Sequence, residues 1–182
     1  MSPSSSRRPA AADMTRIALF AVLLAICAWI SLPLPPIPVT LQTFALFSAL
    51  LFLGGRRGTC AVAVYLLMGA VGLPVFSGFR SGLGVLLEAT GGYLLGFLAT
   101  ALIYWAITAR TNQRAAIPAC LLGLLGCYTF GTVWYLLLYS GASAAGLPAI
   151  LASCVLPFLL PDLVKLALAC LLAKRLKPIL KL

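Results

Sequence analysis

Residues 115–139 read AAIPACLLGLLGCYTFGTVWYLLLY, an apolar run without a charged residue. A helix needs about 20 apolar residues to cross the hydrocarbon core of a bilayer, so this run spans it with length left to tilt or kink. Outward from it, comparable runs occupy 15–32, 39–55, 58–72, 90–109 and 149–173. In chain order the second and third of the six are short and meet at Gly54-Gly55-Arg56-Arg57-Gly58, a sequence that predicts a tight turn. Composition agrees: 63 % of the 182 residues are hydrophobic and 9 % charged, against about one quarter charged in soluble domains. The expected fold is an all-α membrane protein, a bundle of six transmembrane helices in one domain.

The formal charge of +10 invites a nucleic-acid reading, but the basic residues do not form a surface patch. Arg7, Arg8 and Arg16 precede the first run, Arg56 and Arg57 lie between the second and third, and Arg110 and Arg114 between the fourth and fifth. Lys174, Arg175, Lys177 and Lys181 follow the sixth, whereas the opposite loops, 33–38, 73–89 and 140–148, hold only Arg80. The excess of positive charge on alternate loops places both termini in the cytoplasm. The partner implied is the lipid bilayer, not nucleic acid. The polar, proline-containing start predicts a disordered cytoplasmic tail over 1–14, followed by a transmembrane domain over 15–175 and a basic cytoplasmic tail over 176–182. The first apolar run is too long for a cleaved signal peptide, and no small-residue cleavage site precedes Pro33.

The chemical inventory is thin. Histidine is absent and only three acids occur, which removes His-based metal sites, Ser-His-Asp triads and the commonest general base. No phosphate-binding G-x-x-x-x-G-K-[ST] loop appears, so the chain does not hydrolyse ATP by itself. Cys27, Cys60, Cys120, Cys127, Cys154 and Cys170 all fall in apolar stretches with no metal-site spacing, and read as small packing residues. No catalytic residue, metal or cofactor is expected.

The most informative polar residues are Asp162 and Lys165, deep in the last run. A charge at the bilayer centre costs about 2.5–3.5 kcal/mol on insertion scales. Their i, i+3 spacing sets them on one helical face, where each partly neutralises the other. The pair reads either as a self-satisfied brace or as the polar end of a binding cavity; intramembrane charges usually face a cavity or pathway, which favours the second. Pro157 and Pro161 nearby loosen the helix and free backbone carbonyls.

Three further features bear on a site. The segment 73–89 is glycine-rich yet apolar, as a lid folding back over a cavity would be, and it carries Phe79 and Arg80. Arg80 can meet an anionic ligand group or pair with Glu88. The proline run Pro33-Leu34-Pro35-Pro36-Ile37-Pro38 makes a stiff link that delivers Thr40, Gln42 and Thr43 to the start of the second span. There Gln42 lines a pocket or braces a neighbouring helix. In the first span Ala18, Ala21, Ala25 and Ala28 share one face, which serves internal packing or docks a separate membrane subunit. Tyr65, Tyr93, Tyr104, Tyr128, Trp134 and the other Tyr and Trp residues lie mostly near span ends, consistent with an interfacial belt, with one or two free to wall a pocket.

Four motifs in order resemble a known family. Pro36-Ile37-Pro38-Val39-Thr40-Leu41-Gln42-Thr43-Phe44, Gly69-Ala70-Val71-Gly72-Leu73-Pro74-Val75-Phe76, Thr90-Gly91-Gly92-Tyr93-Leu94-Leu95-Gly96-Phe97 and Pro161-Asp162-Leu163-Val164-Lys165 resemble BioY, the biotin-specific substrate-binding (S) subunits of energy-coupling factor (ECF) transporters. The resemblance covers roughly residues 15–175. It implies a six-helix bundle that binds biotin from outside the cell, docks on a coupling transmembrane subunit and is driven by two cytoplasmic ABC-type ATPases, which would supply the missing phosphate loop. It implies a multi-pass protein of the prokaryotic plasma membrane, with the alanine face of the first helix as docking surface. Asp162 and Lys165 carry over from the family motif. Thr43, Thr90, Tyr93 and Phe79 join them as candidate ligand contacts, with Gln42 and Arg80 proposed from their own chemistry. One departure stands out: Glu88-Ala89 occupies the place of the family's usual Gly-Pro pair before Thr90, so the lid end is expected to bend differently.

Two other functions compete. A membrane enzyme acting on a lipid would need clustered acids or a histidine, which this chain lacks. A stand-alone facilitator or proton-coupled carrier of a small amphipathic vitamin would use Asp162 and Lys165 to exchange protons rather than to hold a ligand.

Overall fold

The structure, a computed structural model, describes residues 10–32, 38–111, 114–139 and 147–180. Expectations resting on residues 1–9, on the proline run over 33–37, on the loop 140–146 and on Lys181 lie outside the described residues. Helix α1 (Ala10–Trp29) leads through an antiparallel ribbon, β1 (Ser31–Leu32) paired with β2 (Val39–Thr40), into α2 (Gln42–Leu53). Then come α3 (Gly55–Ala70), a single 3-10 turn at Ser77–Phe79, α4 (Leu83–Leu87), α5 (Gly91–Thr111), α6 (Ala116–Tyr139), α7 (Leu147–Cys154) and α8 (Leu156–Leu180).

Among the described residues, four stretches are long and apolar enough to cross a membrane: Ala11–Trp29, Gly91–Thr111, Ala116–Leu138 and Ile150–Ile179. The protein is an all-α, multi-pass membrane protein. The short second and third runs become α2 and α3. Helix α2 is apolar nearly all round and buried from Gln42 to Leu53 except at Phe44, which is where an all-apolar helix belongs. It lies against α1, α3 and α8. The tight turn before α3 falls on Gly54, whose φ of 79° is open to glycine at little cost.

Helix boundaries differ from expectation at both ends. Residues 10–14 belong to α1 rather than to the tail expected over 1–14. Asp13 in the first turn suits the positive end of the helix dipole, and its carboxylate pairs with Arg57 at 2.7 Å and Arg16 at 3.7 Å. At the other end α8 continues through residues 176–180, with Lys177 in its last turn complementing the dipole. The sixth span is broken, but at Val155 rather than beside Asp162. The Val155 carbonyl accepts from the amides of Phe158 and Leu159 (3.0 and 3.2 Å), and Pro157, which has no amide to donate, sits in the first turn of α8 where none is needed. Pro161 is accommodated inside the helix.

The alanine face of α1 requires a correction. Ala21, Ala25 and Ala28 are buried within the chain, and only Ala18 is exposed. Lipid offers helices no hydrophobic drive to associate, so small residues that permit close approach hold α1 against α2 and α3. Those three alanines are not a free docking surface.

Neighbouring contacts gather the basic clusters at one end. Arg57 meets Asp13 of α1. A Cβ on Gly55 would lie 2.7 Å from the Trp105 backbone, which brings the C-terminal part of α5, and with it Arg110, to the α2–α3 turn. Thr43 at the start of α2 bonds Asp162 in the first half of α8, so α8 runs back towards the Gly54 end.

Candidate functional site

At the opposite end, around the N-terminus of α2, a cavity of about 350 Å³ opens between the segment 76–90, α5, α6, Cys154 of α7 and α8. That volume falls at the small end of the roughly 300–1,000 Å³ typical of ligand pockets. The walls are mostly apolar: Phe76, Leu94, Phe97, Leu124 and Phe158. Polar groups collect at two levels.

The deep level holds Asp162 and Lys165, 3 % and 7 % exposed. One turn of α8 places them side by side, with Lys165 Nζ 2.8 Å from Asp162 Oδ1. Thr43 Oγ1 donates to the same carboxylate oxygen at 2.7 Å and accepts from Lys165 Nζ at 3.1 Å. The Tyr128 hydroxyl donates to Asp162 Oδ2 at 2.7 Å. A buried charge is tolerable when paired and hydrogen-bonded, and this pair is both while still facing the cavity. Capacity remains: the ammonium has three hydrogens, two of them engaged by Thr43 and Asp162, and Oδ2, which accepts from Tyr128, has room for a second donor.

Beside the pair, Gln42 is both brace and lining. Its Nε2 donates to the Tyr65 hydroxyl at 2.5 Å and its Oε1 accepts from Thr40 Oγ1 at 2.9 Å. The β1–β2 ribbon sets this up, pairing Ser31 with Thr40 immediately before α2. Tyr93 walls the cavity from α5, its hydroxyl 3.4 Å from Thr132 Oγ1, and Thr90 lines the wall at the start of that helix.

The shallow level is an ion pair between Arg80 and Glu88, both side chains close to half exposed and both lining the cavity. The segment that presents them is packed rather than loose. The Phe76 amide donates to the Arg80 carbonyl (3.1 Å), and the Gly82 amide to the Gly69 carbonyl (2.7 Å). Trp29 Nε1 donates to the Pro74 carbonyl at 2.9 Å. Trp134 Nε1 holds the Glu88 carbonyl at 3.1 Å. These bonds fix the segment as one wall of the cavity.

Seven of the eight candidate ligand contacts therefore line one cavity: Gln42, Thr43, Arg80, Thr90, Tyr93, Asp162 and Lys165. Phe79 does not. Its backbone turns left-handed at the tip of the segment (φ 59°) and its ring stacks on Trp29 at 5.0 Å, 64 % of the residue exposed. The sequence reading also missed residues. Tyr128 and Tyr65 fitted an interfacial belt, yet both are buried and hydrogen-bonded to site residues. Cys127 and Cys154 pack, as expected, but also line the cavity. Tyr128→Phe is expected to cost about 1–2 kcal/mol, the range for a buried bond to a charged group softened by membrane values. Thermal unfolding in detergent checks it; an unchanged midpoint would show the carboxylate satisfied without Tyr128.

A family model described as the BioY family matches residues 1–182. A biotin transporter BioY from Thermotoga maritima is 37 % identical over 181 residues, 91 % of this chain and 95 % of that protein. A probable biotin transporter BioY from Pyrococcus horikoshii is 36 % identical over 168 residues, 92 % of this chain and 97 % of that one. A crystal structure of the S-component for biotin from an ECF-type ABC transporter superposes with a TM-score of 0.81 and 25 % identity, covering 92 % of each chain. The four motifs, the helical membrane fold and these matches agree: the chain belongs to the BioY family.

Proposed function

We propose that the protein is the biotin-binding membrane subunit of an ECF-type vitamin transporter. The observation that carries the reading is the buried Asp162–Lys165 pair, which keeps hydrogen-bonding capacity towards a cavity otherwise walled by apolar side chains. Biotin has a ureido head with N–H donors beside a carbonyl acceptor, an apolar ring and chain, and a carboxylate. The head donates to Asp162 and accepts from Lys165, the ring and chain lie along Leu94, Phe97 and Phe158, and the carboxylate reaches the mouth near Arg80. Binding changes no covalent bond. The protein is a transport component, not an enzyme.

Six crossings follow if α1, α2, α3, α5, α6 and the α7–α8 pair each count as one. The grouping of Arg57 and Arg110 at the end away from the cavity supports cytoplasmic termini and a cavity open to the outside. In a prokaryotic plasma membrane that arrangement captures an external vitamin. With no phosphate loop of its own, the chain relies on a coupling membrane subunit and two ABC-type ATPases for energy.

Labelled biotin is expected to remain bound, chemically unaltered, to the purified protein in detergent, and unlabelled riboflavin or thiamine should not displace it. Retention of another vitamin but not biotin would overturn the ligand assignment.

A further inference from the structure

We infer that Glu88 sets the selectivity of the site for the tail of its ligand, and extends the ligand class from free biotin to biotin amides; the inference rests on the biotin reading above. The two polar levels of the cavity each contain one cation and one acid: Lys165 with Asp162 in the depth, Arg80 with Glu88 at the mouth. The mouth is therefore formally neutral before any ligand arrives. A lone arginine there would favour a carboxylate over its uncharged amide. With Glu88 already on the guanidinium, an arriving carboxylate either displaces that side chain or shares Arg80 with it across a short distance between like charges. An amide tail meets neither cost and hydrogen-bonds to the same two groups.

Glu88 is not a side chain free to swing away with its backbone. Its amide donates to the Gly84 carbonyl at 3.1 Å, and its carbonyl accepts from Gly91 (2.9 Å) and from Trp134 (3.1 Å). A Cβ on Gly91 would fall 2.0 Å from the Leu86 carbonyl oxygen, so the link from α4 to α5 folds tightly on itself here. Arg80 is held at the end of the turn over Ser77–Phe79, its carbonyl accepting from the Phe76 amide. The pair thus links the turn over Ser77–Phe79 to the connection between α4 and α5 at the cavity wall. An amide whose tail ends in an amino acid, such as biotin joined to the lysine side-chain amine, matches both halves at once: its ammonium meets Glu88 and its carboxylate meets Arg80.

The experiment compares dissociation constants for biotin and for its primary amide, with biotinyl-lysine as a third probe, on the full chain in detergent. In Glu88→Gln the ratio of amide to acid constants is expected to rise roughly two- to fivefold, the range of a half-exposed ion pair. Biotinyl-lysine should lose affinity in the same variant. Both shifts should shrink at about 1 M salt, where charges are screened beyond a few ångströms, and the amide-to-acid shift should disappear when Arg80→Gln is added. Biotin binding with an amide-to-acid ratio unchanged in Glu88→Gln would overturn the role of Glu88 alone. Failure of the unsubstituted protein to hold either biotin or its amide would instead overturn the ligand reading on which it rests.

Discussion

Lys165→Ala is expected to weaken biotin binding by about a hundredfold or more and to destabilise the protein by about 3–5 kcal/mol. The reason lies in what is left behind. Asp162, 3 % exposed, would keep bonds from Thr43 and Tyr128 but lose the only cation within reach among the described residues. An unpaired carboxylate inside a low-dielectric bundle is the costly outcome of breaking such a pair. The two losses can be separated. Replacing both partners by apolar residues of similar size, Asp162→Leu with Lys165→Met, should restore much of the stability, because the buried charge is gone, while leaving binding abolished. Recovery of binding in that double variant would show the pair to be a packing brace and not part of the site; wild-type affinity in Lys165→Ala would do the same. Calorimetric titration and a thermal melt on each variant decide it.

Gly69→Ala is expected to reduce affinity ten- to a hundredfold, although position 69 does not touch the cavity. An added Cβ would lie 2.0 Å from Cζ of Phe76, whose ring covers that glycine. Phe76 is 1 % exposed and packs edge-on against Tyr65, the ring centroids 5.7 Å apart. Tyr65 in turn takes the hydrogen bond from Gln42. Forcing the ring aside costs about 1–3 kcal/mol of overpacking and drives it into the cavity that it lines. Adding Phe76→Leu to Gly69→Ala should relieve the crowding and recover part of the affinity. Unchanged binding in the single variant would mean that the lid segment yields at no cost to the site.

Hydropathy alone carried the helical membrane fold, because an uncharged run as long as 115–139 would be insoluble anywhere but in lipid or a large core, and a chain of this length builds no such core. Asp162 and Lys165 were legible for the opposite reason: ionisable groups are conspicuous where lipid makes them expensive. Aromatic residues gave no such contrast. Tyr128 and Tyr65 fall at the middle of the runs 115–139 and 58–72, a depth that already speaks against a belt, but only the rotation of α6 and α3 about their axes turns their hydroxyls towards Asp162 and Gln42. Helix rotation leaves little trace in a run that is apolar on every side. The alanines of α1 illustrate the same ambiguity, since a small-residue face looks alike whether it meets another helix of the chain or another protein; burial of Ala21, Ala25 and Ala28 settles it here. Phe79 was misplaced because a segment's composition does not say which residue falls at the tip of its turn.

The twelve residues of α2 rise only about 18 Å, well short of the roughly 30 Å thickness of bilayer hydrocarbon. The cavity takes up depth that a full-length helix would have filled, so a solute resting on Gln42 and Thr43 sits on a solid plug of packed side chains. Among the described residues, α2 stays buried below that point down to Leu53. On the proposed reading, a solute captured from outside would reach the far compartment only if this same opening came to face the other way.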